Sequence, residues 1–184
     1  MKVPTISTPR LDLVWMSPAF IEAVLEERRL EAGEILGALV PPEFPGKWAR
    51  WLAMRRKQML DDPTAARWLT RAMVLREAGR PMIGHLGFHA KPDERNTIEI
   101  GYTVFADHRR RGYALEAARS LIGWATRAHG IERIVASVSP NNEPSLTLIR
   151  KLGFNDTGNQ QWDDEDGLEL IFELSALRAV TGGG

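Results

Sequence analysis

The sequence predicts one mixed α/β domain, a sheet with helices on its faces. Three observations predict it. The apolar period switches repeatedly between that of helices and that of strands along the 184 residues. Three extended stretches follow one another between residues 67 and 105, separated by short turns. No internal repeat and no interdomain linker divides the chain, and its length suits one core better than two.

Taken in order, "PRLDLVWM" (9–16) alternates Leu11, Leu13 and Trp15 and predicts a half-buried strand. "SPAFIEAVLEERRLEAG" predicts one helix, with Ser17 as cap, Pro18 at its first position and Gly33 as its stop. After the connector "VPPEFPG", Trp48, Trp51 and Leu52 recur at helical spacing and predict a helix from about Lys47 to Leu60. "RWLTRAMVLREAGRPMIGHLGFHA" reads as two strands joined at Glu77–Arg80, and "NTIEIGYTVF" (96–105) as a third. A long helix from Gly112 to about His129, a strand "RIVASV" (133–138) and a helix from Glu143 to Leu152 follow. The remainder reads as a hairpin with "DDEDG" at its tip.

Composition narrows the function classes. Lys plus Arg and Asp plus Glu both number 24, so no global field favours a polyanionic partner. The absence of cysteine excludes disulfides, thiolate metal sites and a sulfur nucleophile. No His, Asp or Glu spacing argues for a metal. With no apolar stretch after the first lysine and no segment of membrane-spanning length, the expectation is a soluble cytoplasmic domain.

The informative stretch is "ADHRRRGYALEA" (106–117). A strand ends near Phe105, the chain turns, and Gly112 opens a helix. Free amides and the helix dipole favour an anion there, Gly112 allows close backbone approach, and Ala114 leaves the first turn uncluttered. The stretch lacks the glycines of a dinucleotide fingerprint and the Walker pattern. A solvated basic turn capping a helix fits these residues equally well.

Arg109-x-x-Gly112-x-Ala114 resembles the Q/R-x-x-G-x-G/A acyl-CoA signature of the GNAT N-acetyltransferase superfamily. "EIGYTVF" resembles that family's fourth strand, which splays from the fifth to admit the pantetheine arm. "NEPSLTLIRKLGF" (142–154) and "STPRLDLVWM" resemble segments of its ribosomal-protein-type branch. The resemblance implies a mixed, mostly antiparallel sheet flanked by helices, spanning residues 1–184 as one domain. It implies acetyl-CoA as co-substrate, a primary amine as acceptor (a protein N-terminus or a small molecule), and a homodimer, a common state among such enzymes. The coenzyme contacts it implies are Val104, Phe105, Arg109, Arg110, Arg111, Gly112, Tyr113, Ala114 and Asn142. A backbone amide near Val104 and Phe105 would polarise the thioester carbonyl.

For the chemistry, the resemblance points to Glu99 as base, Asn142 near the reaction centre and Ser145 as acid to the leaving thiolate. A Glu99 carboxyl raised by burial would favour that role; a solvent-facing glutamate, or a partner for Arg71 or Arg76, is the other reading. Asn142 and Ser145 also read as a helix cap. Relatives place a tyrosine acid where this chain has Ile149. Trp48, Trp51, Trp68, His85 and His89 are candidates to wall the acceptor site, and "DDEDG" to draw a cationic amine. Two other readings stay open: a non-catalytic acyl-CoA sensor, and a nucleic-acid-binding module using Arg109, Arg110 and Arg111.

Overall fold

Alternating apolar residues pair into an eight-stranded sheet in the computed structural model, which describes residues 3–163 and 167–175. Its strands are β1 (Ile6–Ser7), β2 (Leu11–Trp15), β3 (Arg71–Leu75), β4 (Met82–Phe88), β5 (Thr97–Val104), β6 (Arg133–Val138), β7 (Asn155–Asp163) and β8 (Gly167–Ser175). They lie in the order β1-β2-β3-β4-β5-β6-β8-β7. Neighbours are antiparallel except β5 and β6, which the crossover through α4 (Tyr113–His129) makes parallel.

Strand alternation sends the side chains into two cores. Leu11, Leu13, Phe88, Ile98 and Ile100 pack with α4 and α5 (Glu143–Leu152). Ala72, Val74 and Met82 pack on the opposite face with α1 (Pro18–Leu25), α2 (Arg29–Leu36) and α3 (Ala49–Asp61). The expected mixed sheet with helices on both faces is therefore observed. The single helix expected over 17–33 is instead two. Ser17 does cap α1, but Glu27 turns at φ +59° and α2 runs to Gly37 at φ +68°. The charged run Glu26–Arg29 has no apolar side chain to bury, so nothing holds a continuous helix there, and Gly33 lies inside α2. The short strand β1 had no periodic signal.

One feature of the topology sets up the site. β5 pairs with β6 at Thr97↔Arg133, Ile98↔Ile134 and Glu99↔Val135. Beyond these pairs β5 stays with β4 as far as Val104, while β6 stays with β8 as far as Val138. The two strands part after Glu99, and a V-shaped opening runs toward the start of α4.

On the α4 side a fully buried guanidinium, Arg71, holds the N-terminal segment in place. It donates to the carbonyls of Pro4 (2.8 Å), Leu13 and Arg67 and lies 5.2 Å from the Trp124 ring centroid. Burial pushes it down to about 10. Arg71→Ala would leave a cavity and strand these carbonyls. Urea unfolding should show a loss of about 3 kcal/mol; a loss under about 1 kcal/mol would mean that the arginine contributes little beyond filling space.

Candidate functional site

The helix that follows the opening begins without a side-chain cap. Gly112 occupies its N-cap position at φ +79°, and Arg110 turns at φ +61° just before it. Two left-handed residues so close together swing the chain sharply from β5 into α4. By contrast, Ser17 caps α1 and Asn142 caps α5. The first amides of α4, from Tyr113 to Leu115, therefore keep their donors and the positive end of the dipole for an external anion.

A charged network anchors this turn. Glu116 accepts from Arg10 Nε at 2.7 Å, from the Arg10 amide at 2.8 Å and from Thr8 Oγ1 at 2.5 Å. Arg10 also donates to the Arg111 carbonyl at 3.0 Å and lies 4.6 Å from the centroid of the Tyr113 ring. Arg109 donates through Nε to the Val104 carbonyl at 2.9 Å, while Arg110 and Arg111 are exposed. Arg10 was not among the sequence candidates. It lies about a hundred residues from the loop it serves, and no spacing rule connects them.

The opened edge of β5 supplies further donors. Thr103 and Gly101 lie opposite His85 and Gly87, and the Phe105 amide donates to Ile83 at 2.9 Å, so these odd-numbered residues face β4. Alternation turns the amides of Tyr102 and Val104 the other way, into the V. Of the two residues expected to polarise a thioester carbonyl, Val104 keeps an amide directed there. Phe105 does not, because the sheet already uses its amide.

Glu99 sits at the base of the V. Its Oε1 accepts from Ser137 on β6 at 2.6 Å, and its Oε2 lies 3.4 Å from His89 Nδ1. Gln161 on β7 donates to Ser137 at 3.1 Å and to Glu169 on β8 at 2.9 Å, extending the polar chain across the parted half. Burial pushes the Glu99 carboxyl up, but His89, Ser137 and the nearby Arg55 outweigh it and hold the group below its ordinary value. This is the reverse of the rise that would mark a carboxylate tuned as a base. Neither Arg71 nor Arg76 is its partner; Arg76 instead donates to the Thr8 carbonyl and faces Asp12.

The same face carries an aromatic wall. His85 is buried against Trp51 (centroids 4.6 Å), Trp48 (5.4 Å), Phe105 (6.4 Å) and Phe44 (6.5 Å), and burial followed by Arg55 lowers it to about 4. Beside it lies a cavity of about 500 Å³, bounded among others by Val40, Phe44, Trp48, Met82 and Phe105. Trp68 does not join this wall. It lies in the turn before β3 and packs under α4 against Trp124 at 5.2 Å. Of the acidic hairpin tip, Asp164, Glu165 and Asp166 lie outside the described residues.

On the opposite, α4–α5 face, Asn142 is exposed and accepts from the Ser145 amide at 3.3 Å, a capping geometry. Ser145, half-buried, neighbours the Tyr102 hydroxyl. That hydroxyl is itself buried without a well-formed hydrogen bond, and burial, only partly opposed by Ser145, raises it. Tyr102 had received no role from the sequence. Its side chain shares the Ile98 and Ile100 face, so the reading that put Glu99 on one side of β5 also put Tyr102 on the other. Among the described residues no group of three His, Asp or Glu side chains is placed to hold a metal ion, and no helix is long and apolar enough to cross a membrane.

Residues 19–155 match the acetyltransferase (GNAT) domain family. The chain belongs to this family. An uncharacterised N-acetyltransferase of Bacillus subtilis, YjdG, is 38% identical over 82 residues, 45% of this chain and 49% of the relative. The chain spans about half the length of the curated relatives it matches. A Vibrio cholerae structure assigned as a ribosomal-protein-serine acetyltransferase shares the fold at TM-score 0.67 and 17% identity, covering 95% of this chain and 99% of that one. The microcin C7 self-immunity acetyltransferase MccE, solved with acetyl-CoA and AMP, does so at 0.63 and 15%, covering 91% and 93%. The acyl-CoA motif that suggested the family thus lies within the matched span.

The buried neutral His85 makes this GNAT domain sensitive to acid. Its folded value lies below the ordinary imidazole value of about 6.5, so its stabilisation is complete above that pH and is lost as pH falls toward 4. Urea unfolding should give lower stability at pH 5 than at pH 7, with a smaller difference in His85→Phe. Equal slopes in the two proteins would show that another group governs the acid response.

Proposed function

We propose that this chain is an acetyl-CoA-dependent N-acetyltransferase, acting as one domain over residues 1–184 and transferring acetyl directly to a primary amine in a ternary complex. The observation that carries the proposal is the alignment along one strand of three parts. Uncapped α4 amides stand at the top of the V, inward-facing β5 amides along its edge, and Glu99 at its base. The first part suits a pyrophosphate, the second an extended amide-bearing arm, and the third a cationic amine. That MccE, of the same fold, was solved with acetyl-CoA supports the choice of donor.

In this reading Tyr113, Ala114 and the Gly112 turn cradle the pyrophosphate, with Arg109, Arg110 and Arg111 adding positive charge. Val104 supplies the amide for the thioester carbonyl. Asn142 caps α5 so that Ser145 and Tyr102 face the sulfur. Of these two, Tyr102 is the stronger choice for returning a proton to the thiolate, because a phenol releases its proton far more readily than an aliphatic hydroxyl. The amine enters from the other face, past Trp48, Trp51 and His85, drawn by Glu99. The aromatic cavity favours an acceptor with an apolar or aromatic substituent beside its amine. A protein N-terminus is the form that the ribosomal-protein-type resemblance supports. The protein works in the cytoplasm, and a homodimer is its expected state.

Thermal shift with acetyl-CoA, CoA and ATP tests the donor. Both CoA species should raise the melting temperature in a concentration-dependent way and ATP much less, with Gly112→Ala weakening the response through its positive φ. No shift with either CoA species would sink the proposal. Tyr102→Phe should lower kcat by about 10²-fold while acetyl-CoA affinity holds; an unchanged kcat would return the acid role to Ser145 or to solvent.

A further inference from the structure

We infer that His89, not Glu99, takes the proton from the acceptor amine, and that Glu99 serves as its positioning residue. The inference rests on the N-acetyltransferase reading and names the proton path within it.

The geometry comes from two strand positions. His89 follows the end of β4 and lies on the face shared by His85, Thr103, Gly101 and Glu99. Its backbone is fixed at both ends, because its amide donates to the Glu99 carbonyl at 2.9 Å and its carbonyl accepts from Arg55 Nη1 at 2.5 Å. Its Nδ1 stands 3.4 Å from Glu99 Oε2, so the carboxylate selects the Nδ1–H tautomer and leaves Nε2 as the basic atom. Nε2 lies over Gly101, where a Cβ would approach it to 2.7 Å. The ring can occupy this spot only because residue 101 has no side chain. The spot is two residues above Glu99 along β5, on the opening itself, and the imidazole is 48% exposed, so an incoming amine can reach it.

The charged group shown against this imidazole is Glu99 from β5; Arg55 from α3 reaches the His89 backbone carbonyl, and Ser137 from β6 completes the Glu99 environment. Glu99 has both oxygens committed and is held below the ordinary carboxylate range, which suits a fixed anion better than a proton acceptor. A general base is most effective when its affinity for protons is matched to the operating pH, a range that imidazoles cover and such carboxylates do not.

An ammonium proton passes to His89 Nε2, and the freed nitrogen lone pair forms the C–N bond at the acetyl carbonyl carbon. Collapse of the tetrahedral adduct breaks the C–S bond, with the electron pair leaving on sulfur. The second proton lost by nitrogen ends on that sulfur, and His89 then returns its proton to solvent.

The test is kcat/KM against pH for wild type, His89→Gln and Glu99→Gln, using acetyl-CoA with phenylethylamine, spermidine and a short peptide. Acetyl-CoA affinity and the tautomer of His89 by nitrogen-15 NMR are measured in parallel. The expected result is an ascending limb in wild type that disappears in His89→Gln, with kcat/KM down by about 10²- to 10³-fold and acetyl-CoA affinity unchanged. Glu99→Gln should lose less activity and should shift neutral His89 away from the Nδ1–H form seen in wild type. Turnover in His89→Gln with the limb intact, or an Nε2–H tautomer in wild type, would overturn the assignment. A wild-type protein that acetylates none of the amines would overturn the transferase reading along with it.

Discussion

The structure turns on the failure of two neighbouring strands to stay together. β5 and β6 share three paired positions and then separate, each remaining bound to its other neighbour. Unpaired backbone amides inside a sheet are costly unless something else satisfies them, so an edge opened in the middle of a sheet is a place for a ligand with its own amides and carbonyls. The crossover helix α4 starts at the wide end of the gap and aims its free amides into it. Both the free helix amides facing the gap and the strand-like groove follow from this one separation.

Alternation along β5 then divides labour between the faces. Ile98, Ile100 and Tyr102 point toward α4 and α5, where the groove and Ser145 lie. Glu99, Gly101 and Thr103 point toward α3 and the aromatic wall. A buried phenol and a hydrogen-bonded carboxylate thus stand on opposite sides of one strand, separated by the backbone itself.

The arginines of "ADHRRRGYALEA" are less central than their number suggests. Arg109 is tied to Val104, and the exposed Arg110 serves the turn through its left-handed backbone as much as through its charge. The firm ionic anchor is Glu116 with Arg10, which clamps the first turn of α4 to the loop between β1 and β2. Charge is spent here mainly on holding amides in position, because preoriented dipoles gain more from rigidity than from additional mobile cations.

From the sequence alone came the mixed sheet, the three-strand meander, the boundaries of α5 and β6, and the loop that opens α4. Each rests on local rules: side-chain period, caps and glycine positions act within a few residues. The Gly112 turn was legible for that reason, while Glu99 was singled out through the family resemblance. Tertiary structure decided what those residues touch. It spent the Phe105 amide on β4, moved Trp68 to the other core, split the first helix at a charged run and brought Arg10 to Glu116. Above all, it set His89 against Glu99 over a glycine. These depend on which strands pair and where they part, and pairing is settled by the burial of whole faces rather than by any short stretch of chain.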